Sequence, residues 1–508
     1  MLLTLACAMQ IIAHKQAGVH RILPGDSSYL DLATVNQLDR GVGYIASFPE
    51  RQAFSESVLW QALLFIAVKI FKDTVVAAYL VGFACSIGVL LVAISIARRM
   101  LGFQPYVFAA ACVLAISPAL TTAATTGGAL SMAMLLVMLS VKRHLEGLSG
   151  KGLVLPVSSA IYIGLAMLIR VEFIVLWLVM CLHAGLSVLF KWRNDIKPAL
   201  VGIQAASGLV VCFIVLWPIV HLNMQLISVP WPVSVGSDIV VEAGGNVAGE
   251  VSAAMVARVL DGYLYLLDGS NVFGLVEFLV LLLGLMMLLY AGMAEKKKRV
   301  LLLPLFVVAL VPGLYGLLSV FTGPDGKYVV LNAFVPFFLI TGIFGVFRLP
   351  GVIHPKSKWA VGLAIALVVV MGVRTSLNER KNIAERDAML DWQSRYHGLI
   401  GEVNESRTVC MTDRAGYPAF LNRQHVVDLG GRSSIAVLRC VNDAGQLDDE
   451  KTLELARARE PDLLVLWEEE NYALASRIER LLGRSAVSDL TGPEGHPLVF
   501  RINWTTRN

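Results

Sequence analysis

The sequence predicts a polytopic α-helical membrane protein of about 11 to 13 transmembrane helices, with a small soluble α/β domain at its C-terminal end. Three observations predict it. Hydrophobic residues make up 56% of the 508 and the mean hydropathy is +0.68, too apolar for a water-soluble globule. Apolar stretches able to cross a hydrocarbon core of about 30 Å recur as far as residue 376. Beyond it charges spread throughout, and short β-like runs replace the long apolar segments.

The candidate spans are approximately 1 to 18, 57 to 72, 74 to 97, 104 to 121, 126 to 141, 153 to 170, 171 to 190, 198 to 220, 272 to 292, 300 to 320, 328 to 347 and 358 to 376. The first is continuously apolar only from Met1 to Ala13, before His14 and Lys15; without a basic leader or a cleavage site it reads as an anchor. Basic clusters set the orientation, because short cytoplasmic loops hold Lys and Arg in excess. They are Arg98-Arg99, Lys142-Arg143, Lys191 with Arg193 and Lys197, Lys296 to Arg299, and Arg348 with Lys356 and Lys358. Placing them inside puts a first loop of about 19–56, a large loop of about 222–271 and everything after 376 on the outer face. Alternation strains at one point: either 57 to 72 does not cross fully, or Arg98-Arg99 breaks the rule.

Residues 377–508 then form the soluble domain, against a transmembrane unit of 1–376. Strands are expected at Thr408 to Met411, Val426 to Leu429, Leu463 to Trp467 and Leu498 to Ile502, with helices at about 450 to 459 and 470 to 483. Its Cys410 and Cys440 could form a disulfide if the domain lies outside the cytoplasm, or stay as two thiols. No CxxC spacing suggests metal or redox work. A net charge of +4 in scattered clusters gives no support for nucleic-acid binding. HExxH, Walker-type and GxSxG motifs are absent from the sequence, which removes metalloprotease, ATPase and serine-hydrolase readings.

Chemistry concentrates in the first loop, which runs Pro24-Gly25-Asp26-Ser27-Ser28-Tyr29-Leu30 and on through Asp31, Leu38, Gly41, Gly43, Glu50-Arg51, Ser57 and Leu59-Trp60. A carboxylate near apolar surface but touching water can keep its charge and take a proton from a hydroxyl, which makes Asp26 the candidate base. The bland alternative is a solvated loop with an amphipathic helix from Ser28 to Leu38 resting on the bilayer.

In order and spacing this run resembles the acidic first loop of the GT-C membrane glycosyltransferases, closest to the bacterial polyprenyl-phosphate arabinofuranosyltransferase branch. There the loop reads D-D-A-Y-I, G-x-G, P-G-E-R and an L-W pair. Ser27 stands where the family has its second acid, which weakens a metal-binding role. Leu168-Ile169-Arg170-Val171-Glu172 resembles an L-x-R-P-E run with Val171 for proline, and Gly326-Lys327-Tyr328 a G-R-[FY] run. Arg258, Asp261-Gly262-Tyr263 and Tyr265-Leu266 lie where the large loop returns to the membrane, and Asp413 to Tyr417 and Val427 to Gly431 follow the family's tail pattern.

The resemblance implies an inverting glycosyltransferase of the bacterial inner membrane, with its site and C-terminal domain extracytoplasmic. Its donor would be a polyprenyl-phosphate sugar, a pentose such as arabinofuranose. The acceptor would be a glycan, a lipid-linked glycan or a protein. Asp26 would be the base and Arg170, Lys327 and Arg258 the cations for the departing phosphate, with Ser27, Tyr29 and Asp31 as further site candidates. No cofactor is required by the residues, and a divalent cation stays open. The rival reading is a transporter or flippase of lipid-linked sugars, which would favour paired halves with acids at midplane. The sequence shows neither sign.

Overall fold

The computed structural model describes residues 26–41, 57–102, 104–149, 153–192, 197–227, 250–267, 275–295, 299, 301–322, 327–353, 359–401, 409–413, 415–421, 425–429, 437, 440, 447–467, 472–482, 484–491 and 498–504. The side chains of Asp26, Ser27 and Lys327 lie outside the described residues, as do those at several helix ends.

Among the described residues before 402, all the regular secondary structure is helical. The α-helices are α1 Asp26–Asp39, α2 Val58–Phe71, α3 Thr74–Leu101, α4 Gln104–Ala115, α5 Pro118–Thr125, α6 Leu130–Ser149, α7 Val157–Met167, α8 Ile174–Leu189, α9 Pro198–Ile227, α10 Glu250–Leu267, α11 Leu275–Ala294, α12 Leu303–Thr322, α13 Lys327–Asn332, α14 Val335–Ile353 and α15 Trp359–Gly401. Among the described residues four helices are long and apolar enough to cross a membrane, five if a bent pair is one span, and five more are apolar but shorter. Several of the expected 11 to 13 transmembrane helices fall on these shorter apolar pieces.

Three breaks interrupt the apolar runs. The span expected at 104 to 121 is two helices bent by 46°. Pro118 drives the preceding Ser117 into an extended conformation, and the Ser117 hydroxyl caps Leu120 N–H. Between α7 and α8, Arg170 is extended and a single 3₁₀ turn, Val171–Phe173, follows. Between α13 and α14, Pro336 has no N–H to give the Asn332 carbonyl and its ring crowds that oxygen, so the helix is interrupted at 333–334. The helix at 57 to 72 has 14 residues, about 21 Å at 1.5 Å each, short of the hydrocarbon core.

The membrane helices meet closely where glycine removes a side chain. A Cβ on Gly284 of α11 would lie 2.2 Å from the Thr341 carbonyl oxygen of α14, and one on Gly316 of α12 2.4 Å from that of Arg258 in α10. α15 runs unbroken from the last apolar span to Gly401, so the change of composition at 377 falls inside a helix.

The C-terminal α/β domain has β1 Val409–Thr412, β2 His425–Asp428, β3 Leu463–Leu466, β4 Val487–Asp489 and β5 Leu498–Ile502, in the order β2-β1-β3-β5-β4. β1 pairs in parallel with β2 and β3, whereas β5 runs antiparallel to β3 and β4. α16 Gly416–Leu421 follows β1, α17 Asp449–Arg459 precedes β3 and α18 Tyr472–Leu482 follows it. The Asp448 carboxylate caps α17 by accepting from the N–H groups of Glu450 and Lys451. Cys410 and Cys440 are free thiols: Cys410 sits in β1 beside Tyr396 of α15, and Cys440 faces the Lys451 carbonyl at 3.5 Å.

Candidate functional site

α1 is the element that positions the candidate base, and it does not rest on the bilayer. Ser28, Tyr29, Leu30, Leu32, Ala33, Thr34, Val35 and Gln37 are all buried, so protein surrounds most of its circumference. The reason is that it lies between the membrane helices and α16 of the soluble domain. Ser28 Oγ donates to the Thr126 carbonyl (3.0 Å) in the turn between α5 and α6. Thr74 Oγ1 donates to Asn36 Oδ1 (2.6 Å) at the start of α3. Asp26 and Ser27 open this helix, where the macrodipole favours a negative charge.

Two expected site residues have structural duties. Asp31 Oδ1 accepts from Gln61 Nε2 of α2 (2.7 Å), which ties the two helices together. Tyr29 is 1% exposed, its hydroxyl accepting from Gln393 Nε2 of α15 (3.0 Å) and its ring edge-on to Tyr417 at 5.3 Å and tilted against Phe420 at 5.2 Å. Leu30 and Ala33 continue the contact onto Ala415, Ala419 and Val426. The carboxyl end of β1, where α16 begins, therefore faces the helix that carries Asp26.

Arg170 lies in the break between α7 and α8, 5% exposed, with Glu172 at 1%. Their closest atoms are 3.9 Å apart, a charge contact longer than a hydrogen bond. The same break receives the end of the first loop: Ser57 N–H donates to the Ile169 carbonyl (3.0 Å) and Leu59 N–H to that of Leu168 (3.3 Å). Ser57 takes a left-handed conformation (φ 65°) to make that turn. Phe173, three residues after Arg170, meets Phe334 at 6.5 Å, in the break that follows α13. Lys327 opens α13, and α13 packs on α6 and α12. Ser57 at the end of the first loop, the Arg170 turn and the Lys327 helix are thus brought together at one part of the bundle. Arg258 is half-buried on α10, about two turns before Tyr265, whose hydroxyl accepts from Asn332 Nδ2 (3.0 Å) at the end of α13.

Asn332, Gln61, Gln393 and a buried ion pair between Glu277 of α11 and Arg374 of α15 were not singled out from the sequence. Asn332 left a signal: an amide alone in the apolar run Tyr328 to Ile340, four residues before a proline. Among the described residues no three His, Cys, Asp or Glu side chains converge as a metal site.

The architecture is that of a polytopic helical membrane protein with a C-terminal α/β domain. Two solved structures are similar to it. AglB, the archaeal oligosaccharyltransferase of Archaeoglobus fulgidus, solved with an inhibitory peptide and a dolichol-phosphate, matches over 99% of this chain and 75% of its own, with TM-score 0.56 and 11% identity. ArnT of Cupriavidus metallidurans bound to undecaprenyl phosphate matches over 100% of this chain and 98% of its own, with TM-score 0.54 and 12% identity. No family model and no curated protein matches the sequence.

Proposed function

We propose that the protein is an inverting glycosyltransferase that moves a sugar from a polyprenyl-phosphate donor to an acceptor on the extracytoplasmic face of a bacterial inner membrane. What carries the reading is the junction just described, in which the helix opened by Asp26 is bonded to the bundle beside the buried Arg170 turn and the Lys327 helix. The two solved structures of this fold hold a dolichol-phosphate and undecaprenyl phosphate, which supports the same class of lipid carrier here. A pentose such as arabinofuranose is the sugar favoured by the first-loop residues.

In the proposed step Asp26 takes the proton of an acceptor hydroxyl while its oxygen bonds to the anomeric carbon. The bond from that carbon to the phosphate oxygen breaks with its electron pair, and the configuration inverts. Arg170, Lys327 and Arg258 stabilise the charge gathered on the departing phosphate. Residues 377–508 act as the acceptor-binding domain: in open α/β sheets ligands favour the carboxyl ends of parallel strands, and that edge faces α1.

The test compares wild type with Asp26→Asn in detergent, using a panel of undecaprenyl-phosphate pentoses and hexoses with glycan and peptide acceptors. Transfer by wild type, lost in the variant while donor binding persists, is expected. Broken membrane helices also occur in transporters, so a flippase of lipid-linked sugars is the second reading; flux of a lipid-linked sugar across sealed vesicles without transfer would establish it instead.

A further inference from the structure

We infer that Asn332, oriented by Tyr265, is a specificity-determining residue that hydrogen-bonds a hydroxyl of the sugar being transferred. The inference rests on the glycosyltransferase reading and adds to it the group that reads the sugar. Asn332 is 1% exposed, and its Oδ1 has no hydrogen-bond partner among the described residues, while its Nδ2 is held by the Tyr265 hydroxyl. Turning the amide over changes which atom is left and not the outcome, because the Tyr265 hydroxyl can donate or accept. One end of a buried amide is anchored and the other is bare.

Such an atom is costly inside a membrane protein, where water is not at hand to bond it. A ligand hydroxyl, which both donates and accepts, satisfies it in either amide orientation. Its place supports a sugar as that ligand. Asn332 ends the short helix that Lys327 opens, at the break imposed by Pro336, and Phe334 two residues on touches Phe173 of the Arg170 turn. With the phosphate at Arg170 and Lys327, as proposed above, the attached sugar would enter the region where this short helix ends. Sites built to bond a substrate hydroxyl discriminate strongly against analogues lacking it, because the protein atom is then stranded.

The experiment measures affinity for bare undecaprenyl phosphate, for the best-bound undecaprenyl-phosphate sugar of the panel, and for its deoxy analogues. Asn332→Ala should leave bare undecaprenyl phosphate unchanged and weaken the sugar-bearing lipid about tenfold. One deoxy analogue should lose about tenfold on wild type and nothing further on Asn332→Ala. Tyr265→Phe, which keeps the ring and frees the amide, should show a smaller loss with the same selectivity. Equal losses for bare and sugar-bearing lipid, or no loss for either, would overturn the inference and leave the glycosyltransferase reading standing. A wild type that binds no polyprenyl phosphate at all overturns both.

Discussion

At the residue scale, the chemistry of single groups in the soluble domain follows from what surrounds them. Burial pushes the Cys410 thiol up from an ordinary value of 9.0 to about 12, against the opposing effect of its hydrogen bond with Tyr396. The same burial, first among the causes, raises the Tyr396 hydroxyl. A raised pKa means that the fold prefers the protonated thiol. Its contribution to stability is complete below the pKa of the unfolded thiol and is lost as pH rises from there toward about 12. Cys410 should therefore resist maleimide at pH 8 in the folded protein and react once the protein is unfolded. Alkylation under non-reducing denaturing conditions, read by mass, should count Cys410 and Cys440 both as free thiols; a recovered Cys410–Cys440 linkage would contradict the separate environments described above. Asp26 and Arg170 were singled out as candidates because a carboxylate in a polar loop and an arginine at a span boundary are conspicuous by composition alone. Asn332 left only the weaker mark of an amide alone in an apolar run, and it stands out as a site only when its neighbours and its missing partner are known.

At the element scale, four of the five strands and two of the helices of the C-terminal domain were legible to within a few residues, since short apolar runs and caps are local properties: β3 was expected at Leu463 to Trp467 and is Leu463–Leu466, whereas the short β4 and α16 were not expected. The membrane helices were less so. Hydropathy registers an apolar run but not a break within it, so 104 to 121 read as one span although Ser117-Pro118 divides it. The burial of α1 was also hidden, because its partners Thr126, Gln393 and Tyr417 are distant in sequence. Helix contacts give a prediction at this scale. Gly284→Ala places a methyl 2.2 Å from the Thr341 carbonyl and must part α11 from α14, so it should lower the thermal midpoint in detergent by several degrees. Gly372→Ala in α15 meets nothing within 4 Å and should be neutral or gain about 0.5 kcal/mol from helix propensity. Equal midpoints for the two variants would mean that these helices are not in the tight contact described.

For the whole molecule, the question is why a soluble domain is attached through a helix that never breaks. α15 leaves the apolar span and continues to Gly401, bringing Gln393 and Tyr396 to the same place as α16. Tyr29 of α1 is held there by Gln393, Tyr417 and Phe420, while Ser28 on the next position is held by the membrane bundle through Thr126. The helix that opens with Asp26 is thus fixed from both sides, and the soluble domain forms one jaw of that clamp. Loosening the jaw should misplace the proposed base without touching the proposed donor site. Tyr417→Ala combined with Phe420→Ala removes two rings from the contact and spares the separate core of the domain built on Met411, Val427 and Leu464. The expected result is a fall in kcat of about 10- to 100-fold, the cost of a displacement near 1 Å at a reacting group, with affinity for undecaprenyl phosphate unchanged. Arg477→Ala, which breaks only the exposed pair with Asp449, is the control and should leave kcat as it was. A loss confined to large acceptors and absent with small ones would assign the domain to acceptor binding alone. An unchanged kcat with every acceptor would show that α1 holds its position from the membrane side by itself, and that the domain is carried beside the site without shaping it.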